Sequence, residues 1–138
     1  MKRATLLLAF LFPALVAAVP SHAKEIKIGL ITPLSGDVKT YGESVRNSFV
    51  IAVEEANAKG GYLRRRVPFE MVVTNDNGLW GSSGNEIIKM TYTNDVWAIL
   101  GTIDGANSHI AIRVALKAEV LMINSGDTDP TFIETNIP

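Results

Sequence analysis

From Lys24 to Ile31 (KEIKIGLI) polar and apolar positions alternate and then turn wholly apolar, the pattern of a strand entering a buried sheet. Thr32-Pro33-Leu34-Ser35-Gly36 breaks it. Val45, Phe49, Ala52, Val53 and Ala56 then recur at helical spacing, and Gly60-Gly61 ends that helix. Thr40 followed three residues later by Glu43 fits a capping box for its start. A second strand is expected over Val67–Thr74, a turn at Asn75-Asp76-Asn77-Gly78, and a weaker helix from Ser82 to Thr93. Val96–Leu100 reads as a third strand. Asn107 or Ser108 can cap a third helix that runs to Glu119, apolar nearly all round and therefore expected to be well buried. Val120–Ile123 is the fourth strand. Each crossover is long enough for a parallel connection, so the order predicts an open, doubly wound, mainly parallel α/β sheet. After Pro130 the pattern closes on no further element, and the chain reads as one cut off in mid-fold.

Ahead of this stretch stand a basic head, Met1-Lys2-Arg3, and an apolar run from Ala4 to Val19. Small residues then precede a cut after Ala23. That layout predicts a cleavable secretory signal peptide over residues 1–23, which leaves residues 24–138 as the mature part. The run falls short of the ~20 apolar residues that span a bilayer, and Pro13 interrupts it. Cleavage removes Lys2 and Arg3 from the 13 basic residues and leaves 11 against 14 acids, a formal charge of −3 where the whole chain carries −1. So mild an acidity, with no broad basic surface, argues against a nucleic-acid partner. The chain has no cysteine, so it carries neither disulfides nor the acylation site of a lipoprotein, and a periplasmic protein is expected.

Ligands of such a sheet bind beyond the carboxyl ends of its strands. Here those ends carry Pro33-Leu34-Ser35-Gly36, Asn75-Asp76-Asn77, Thr102-Ile103-Asp104-Gly105 and Asn124 to Thr128, all small or polar. The third of these opens into a helix whose unpaired N–H groups suit a carboxylate. The fourth offers carbonyls and the Thr128 hydroxyl to an ammonium. Taken alone, Asp127-Thr128-Asp129-Pro130 reads equally as a turn whose side chains bond their own backbone. His109 reads as a first-turn helix residue and not as a metal ligand, Arg64-Arg65-Arg66 reads as a solvated turn, and Trp80 and Trp97 read as packing groups. Asp76 has no companion base or nucleophile, so no enzyme activity is expected.

Five segments in register carry a family resemblance: IKIGLITPLSG (26–36), Tyr41-Gly42, AVEEANAKGG (52–61), ILGT (99–102) and MINSGDTDP (122–130). In order and spacing they resemble the N-terminal lobe of the periplasmic leucine/isoleucine/valine-binding proteins, the substrate-binding components of hydrophobic amino-acid ABC transporters. The resemblance implies two α/β lobes closing on a ligand, with residues 24–138 forming part of the N-terminal ligand-binding lobe and most of the second missing here. It implies a monomeric receptor, two to three times this length, that docks on an ABC permease. No cofactor or metal is implied. Tyr41 would cover the ligand, and Gly126 (carbonyl) and Thr128 would hold its head group. The place where the family has a carboxylate-binding hydroxyl falls on Gly105, whose N–H alone remains unless Asn107 or Ser108 replaces the missing donor. Gly105 leaves the ligand's identity open among an amino acid, an amide and a small acid. Two other classes stay open: the sensing domain of a membrane receptor, and a secreted α/β enzyme, for which no nucleophile elbow is visible.

Overall fold

The structure, a computed structural model, describes residues 24–124 and 126–132. The expected signal peptide, Ser125 and residues 133–138 lie outside the described residues. Strand β1 spans Ile26–Thr32, helix α1 Lys39–Ala58, β2 Phe69–Asn75, α2 Trp80–Tyr92, β3 Ala98–Leu100, α3 Gly105–Lys117 and β4 Leu121–Ile123, followed by a short 3₁₀ turn, Pro130–Phe132. The four strands form one sheet in the order β2-β1-β3-β4, and every pairing is parallel. All four strands therefore end on the same edge, as the sequence predicts.

Alternation along β1 divides the core between two faces. Leu30 and Ile31 are adjacent and both 0% exposed, yet they point to opposite sides of the sheet. Leu30 packs with Phe49 and Val53 of α1. Ile31 packs with Ile87 and Met90 of α2, Ile99 of β3, and Ala111 and Ala115 of α3. Gly29 shares the α2 side, where a Cβ would come within 2.9 Å of the Met90 sulfur. Its bare backbone lets that methionine reach the sheet.

Several expected boundaries shift, each for a local reason. Helix α1 is not opened by a capping box. Its N-cap is Val38, with no side-chain bond, and a turn from Gly36 (Lys39 N–H to Gly36 O, 3.3 Å) starts the helix early. Thr40 thus falls inside the first turn, and Glu43 pairs with Lys39 at 3.5 Å. Strand β2 begins at Phe69, not Val67, because Pro68 cannot donate to a ladder. Val67 bridges Gly61 and Tyr62 instead. Helix α3 is capped by neither Asn107 nor Ser108 but by Asp104, whose carboxylate accepts from the Asn107 N–H. It is also less buried than its composition suggests. Ala111 and Ala115 face the core, while Leu116 is 41% exposed. Trp97 packs edge-on against Tyr62 at 5.9 Å but remains exposed.

Candidate functional site

At the carboxyl edge of the sheet, the polar side chains of the four loops bond the backbone and one another within and between the loops. The first two loops are joined through Asn75, whose Oδ1 accepts from the Leu34 N–H at 2.7 Å and the Asn77 N–H at 2.9 Å. Its Nδ2 donates to Ser35 Oγ at 3.0 Å, and the Ser35 hydroxyl donates in turn to Asn77. Ser35 therefore shapes its loop.

The third and fourth loops meet at Ser108. Fully buried, its hydroxyl lies 2.8 Å from Thr102 Oγ1 and accepts from Asn124 Nδ2 at 2.7 Å. Asn124 Oδ1 accepts from the N–H groups of Gly126 (2.9 Å) and Asp127 (2.7 Å). Asp127 then accepts from the Asp129 N–H at 2.8 Å, and Asp129 from the Thr131 N–H at 2.9 Å. After β4, Asn124, Asp127 and Asp129 thus each bond backbone two or three residues on.

The six residues expected to touch a ligand divide into two groups. Tyr41, 52% exposed, lies over Gly126, where an added Cβ would stand 2.9 Å from the phenol oxygen. The start of α1 and the fourth loop therefore touch across the edge of the sheet, and Thr128 stands exposed beside them. Gly105 opens α3. Asn107 and Ser108 are buried, and their side chains are committed to bonds within the loops: Asn107 Nδ2 donates to Asp104 at 2.6 Å, and Ser108 bonds as above. Asn75, Asp104 and Asn124 organise these loops without having been singled out as site residues. A signal for them exists, since Asx residues two or three positions before a Gly or a helix are the ones that bond backbone N–H groups. Beside Tyr41 an apolar groove of about 450 Å³ runs between α1 and β3, lined by Val45, Phe49, Ala52 and Leu100.

Asp76 is a titratable group that its surroundings shift. It is buried, and accepts from the Gly78 N–H at 3.0 Å and from the Ser83 hydroxyl at 3.1 Å. Burial raises its pKa, the nearby Asp104 carboxylate adds to the rise, and the two hydrogen bonds oppose it. A folded-state pKa above the unfolded value means that the native form holds this proton more tightly. The associated stability is complete at pH below the ordinary carboxylate value, and it is lost as pH rises through the raised one. Asp76→Asn keeps an acceptor for Gly78 and removes the titration. Thermal melts from about pH 4 to 7 are expected to show a weaker fall in stability with pH in the variant than in the parent. Equal slopes would place the titration elsewhere. Among the described residues, no group of three His, Asp or Glu side chains could hold a metal ion.

Residues 25–137 match the family described as periplasmic binding protein. Leu/Ile/Val-binding protein homolog 2 of Brucella abortus is 29% identical over 124 residues, which is 90% of this chain and 33% of that protein. A Leu/Ile/Val-binding protein of Rhizobium johnstonii is 46% identical over 65 residues, covering 47% of this chain and 17% of its own. Among solved structures, the branched-chain amino acid transporter substrate binding protein of Streptococcus pneumoniae, in complex with isoleucine, superposes with a TM-score of 0.76 at 25% identity. That match covers 81% of this chain and 32% of the other. A leucine binding protein from Thermotoga maritima shares the fold, with a TM-score of 0.69 at 24% identity over 78% of this chain and 29% of its own. The chain spans about a third of the length of the curated relatives it matches.

Proposed function

Because the chain belongs to the periplasmic binding protein family, and within it to the type found with branched-chain amino acid ABC transporters, we propose that it is a ligand-binding lobe of a solute receptor for import. The ligand is an amino acid with an apolar side chain, or a close relative of one, bound at the carboxyl edge of the sheet. The receptor works in the periplasm, reached through the leader at residues 1–23, and delivers its ligand to an ABC permease. It acts by recognition and not by catalysis. The ligand binds the closed arrangement of two lobes better than the open one, and that difference in affinity drives closure.

One observation carries the reading to this edge: Tyr41 of α1 meets Gly126 of the fourth loop, two residues before the exposed Thr128, and Asp129 of the same loop meets Gly105 at the opening of α3. An aromatic ring, a backbone carbonyl and a hydroxyl at one edge of the sheet suit the head and the first carbons of an amino acid. The apolar groove beside Tyr41 continues along α1. Calorimetric titration of the full-length receptor against amino acids, amides and small acids tests the reading, and no binding across that panel would refute it. Thr128→Val is expected to weaken the best ligand about tenfold, the loss of one hydrogen bond to a charged group. An unchanged affinity would remove Thr128 from the site.

A further inference from the structure

Gly105 and Asp129 are far apart in sequence and in contact in space. A Cβ on Gly105 would stand 2.5 Å from Asp129 Oδ2, 3.0 Å from its Cβ and 3.2 Å from its Cγ. The Asp129 side chain therefore lies against the bare α-carbon that opens α3, in the volume a side chain at 105 would need. It is fixed there. Asp129 Oδ1 accepts from the Thr131 N–H at 2.9 Å and the Thr131 hydroxyl at 2.6 Å, and Oδ2 lies 3.4 Å from His109 Nε2 on the next turn of α3. The partial positive charge of the helix start favours a carboxylate at this point. The chain supplies that carboxylate itself.

The surroundings are rich in acceptors. Asp104 adds a second carboxylate as the N-cap of the same helix. Asn107 is 1% exposed, and its Oδ1 has no hydrogen-bond partner among the described residues, although its Nδ2 touches Asp104 at the helix start. Asp127 Oδ2 is likewise buried without a partner among them. Both of these oxygens are sealed within the loops, so the charge that a ligand meets at this point is that of Asp129. A ligand carboxylate here would meet that charge at close range.

We propose that Asp129 is a specificity-determining residue. Its carboxylate, seated beside Gly105, excludes a ligand carboxylate from the start of α3 and makes that place a seat for an ammonium or amide N–H. The inference rests on the ligand site proposed above and assigns the chemistry of one end of it.

The test uses the full-length receptor and three probes titrated calorimetrically: leucine, leucinamide, which keeps the donors and has no carboxylate, and 4-methylpentanoate, which keeps the carboxylate and has no ammonium. The parent is expected to bind leucinamide at least as well as leucine and to bind 4-methylpentanoate weakly or not at all. Asp129→Asn, which keeps the shape and removes the charge, is expected to shift the ratio of 4-methylpentanoate to leucinamide affinity by about tenfold toward the acid. Gly105→Ser, which forces the Asp129 side chain away without removing its charge, is expected to shift the ratio in the same direction. The ratio separates specificity from folding, since a merely loosened loop weakens all three probes together. If leucine binds and neither variant changes the ratio, Asp129 has no such role and the receptor reading stands. A parent that prefers 4-methylpentanoate to leucinamide overturns the proposal outright. If none of the three probes binds, both the proposal and the amino-acid-like site beneath it fail.

Discussion

Gly42→Ala is expected to cost at least about 3 kcal/mol of stability, enough to lower the melting point of so small a domain by about 10 °C or more. A Cβ at this position would overlap the carbonyl oxygen of Pro33 and stand 2.7 Å from its carbonyl carbon. The obstacle is backbone. Pro33 directly follows β1 and is buried, so it cannot swing aside as a flexible side chain could. Relief has to come from α1 moving off the loop, which also opens the contacts of Phe49 and Val53 with Leu30. Function should suffer with stability, because Tyr41 precedes Gly42 and would be carried away from Gly126. Urea or thermal melts of parent and variant decide the matter. A variant melting within about 2 °C of the parent would mean that α1 retreats from Pro33 at almost no cost.

Ser108→Val is expected to cost about 2–4 kcal/mol and to abolish ligand binding at the carboxyl edge. Valine matches serine poorly here because the hydroxyl holds two loops together. It meets Thr102 from its own loop and Asn124 from the next, at a position with no exposure. Losing it strands the half-buried Asn124 Nδ2, and the added methyl must enter a filled space. Asn124 in turn positions the Gly126 and Asp127 N–H groups, so the fourth loop loses its anchor as well. A double-mutant cycle with Asn124→Ala should return a coupling of about 1 kcal/mol or more. Strict additivity would mean that the two loops are held independently.

Helices and strands were legible in the sequence because burial imposes a period. Two faces of one sheet demand apolar neighbours such as Leu30 and Ile31, and each helix repeats its own stripe. Boundaries were less legible, because single hydrogen bonds set them. The missing N–H of Pro68 delays β2, and the Asp104 carboxylate starts α3 ahead of the residues expected to cap it. Within Asp104-Gly105-Ala106-Asn107-Ser108 three side chains could serve as the cap, and only the backbone path chooses among them. The location of the candidate site followed from topology, whereas its interior did not. Asn107 and Ser108 look like free donors when read along the chain, yet in the fold they are spent on Asp104, Thr102 and Asn124. Gly105 looks like a missing hydroxyl. Its pairing with Asp129 spans two elements and leaves no local mark in the sequence.

The strand order has a consequence for how the chain assembles as it is made. β1 emerges before the other strands and ends in the interior of the sheet, with β2 on one side and β3 on the other. β4 then joins β3. Among the described strands none has to hold a gap open for one made later, so each finds its ladder already in place. The sheet can grow outward from its first strand at the pace of translation, and the carboxyl-edge loops come together in the order in which they are made.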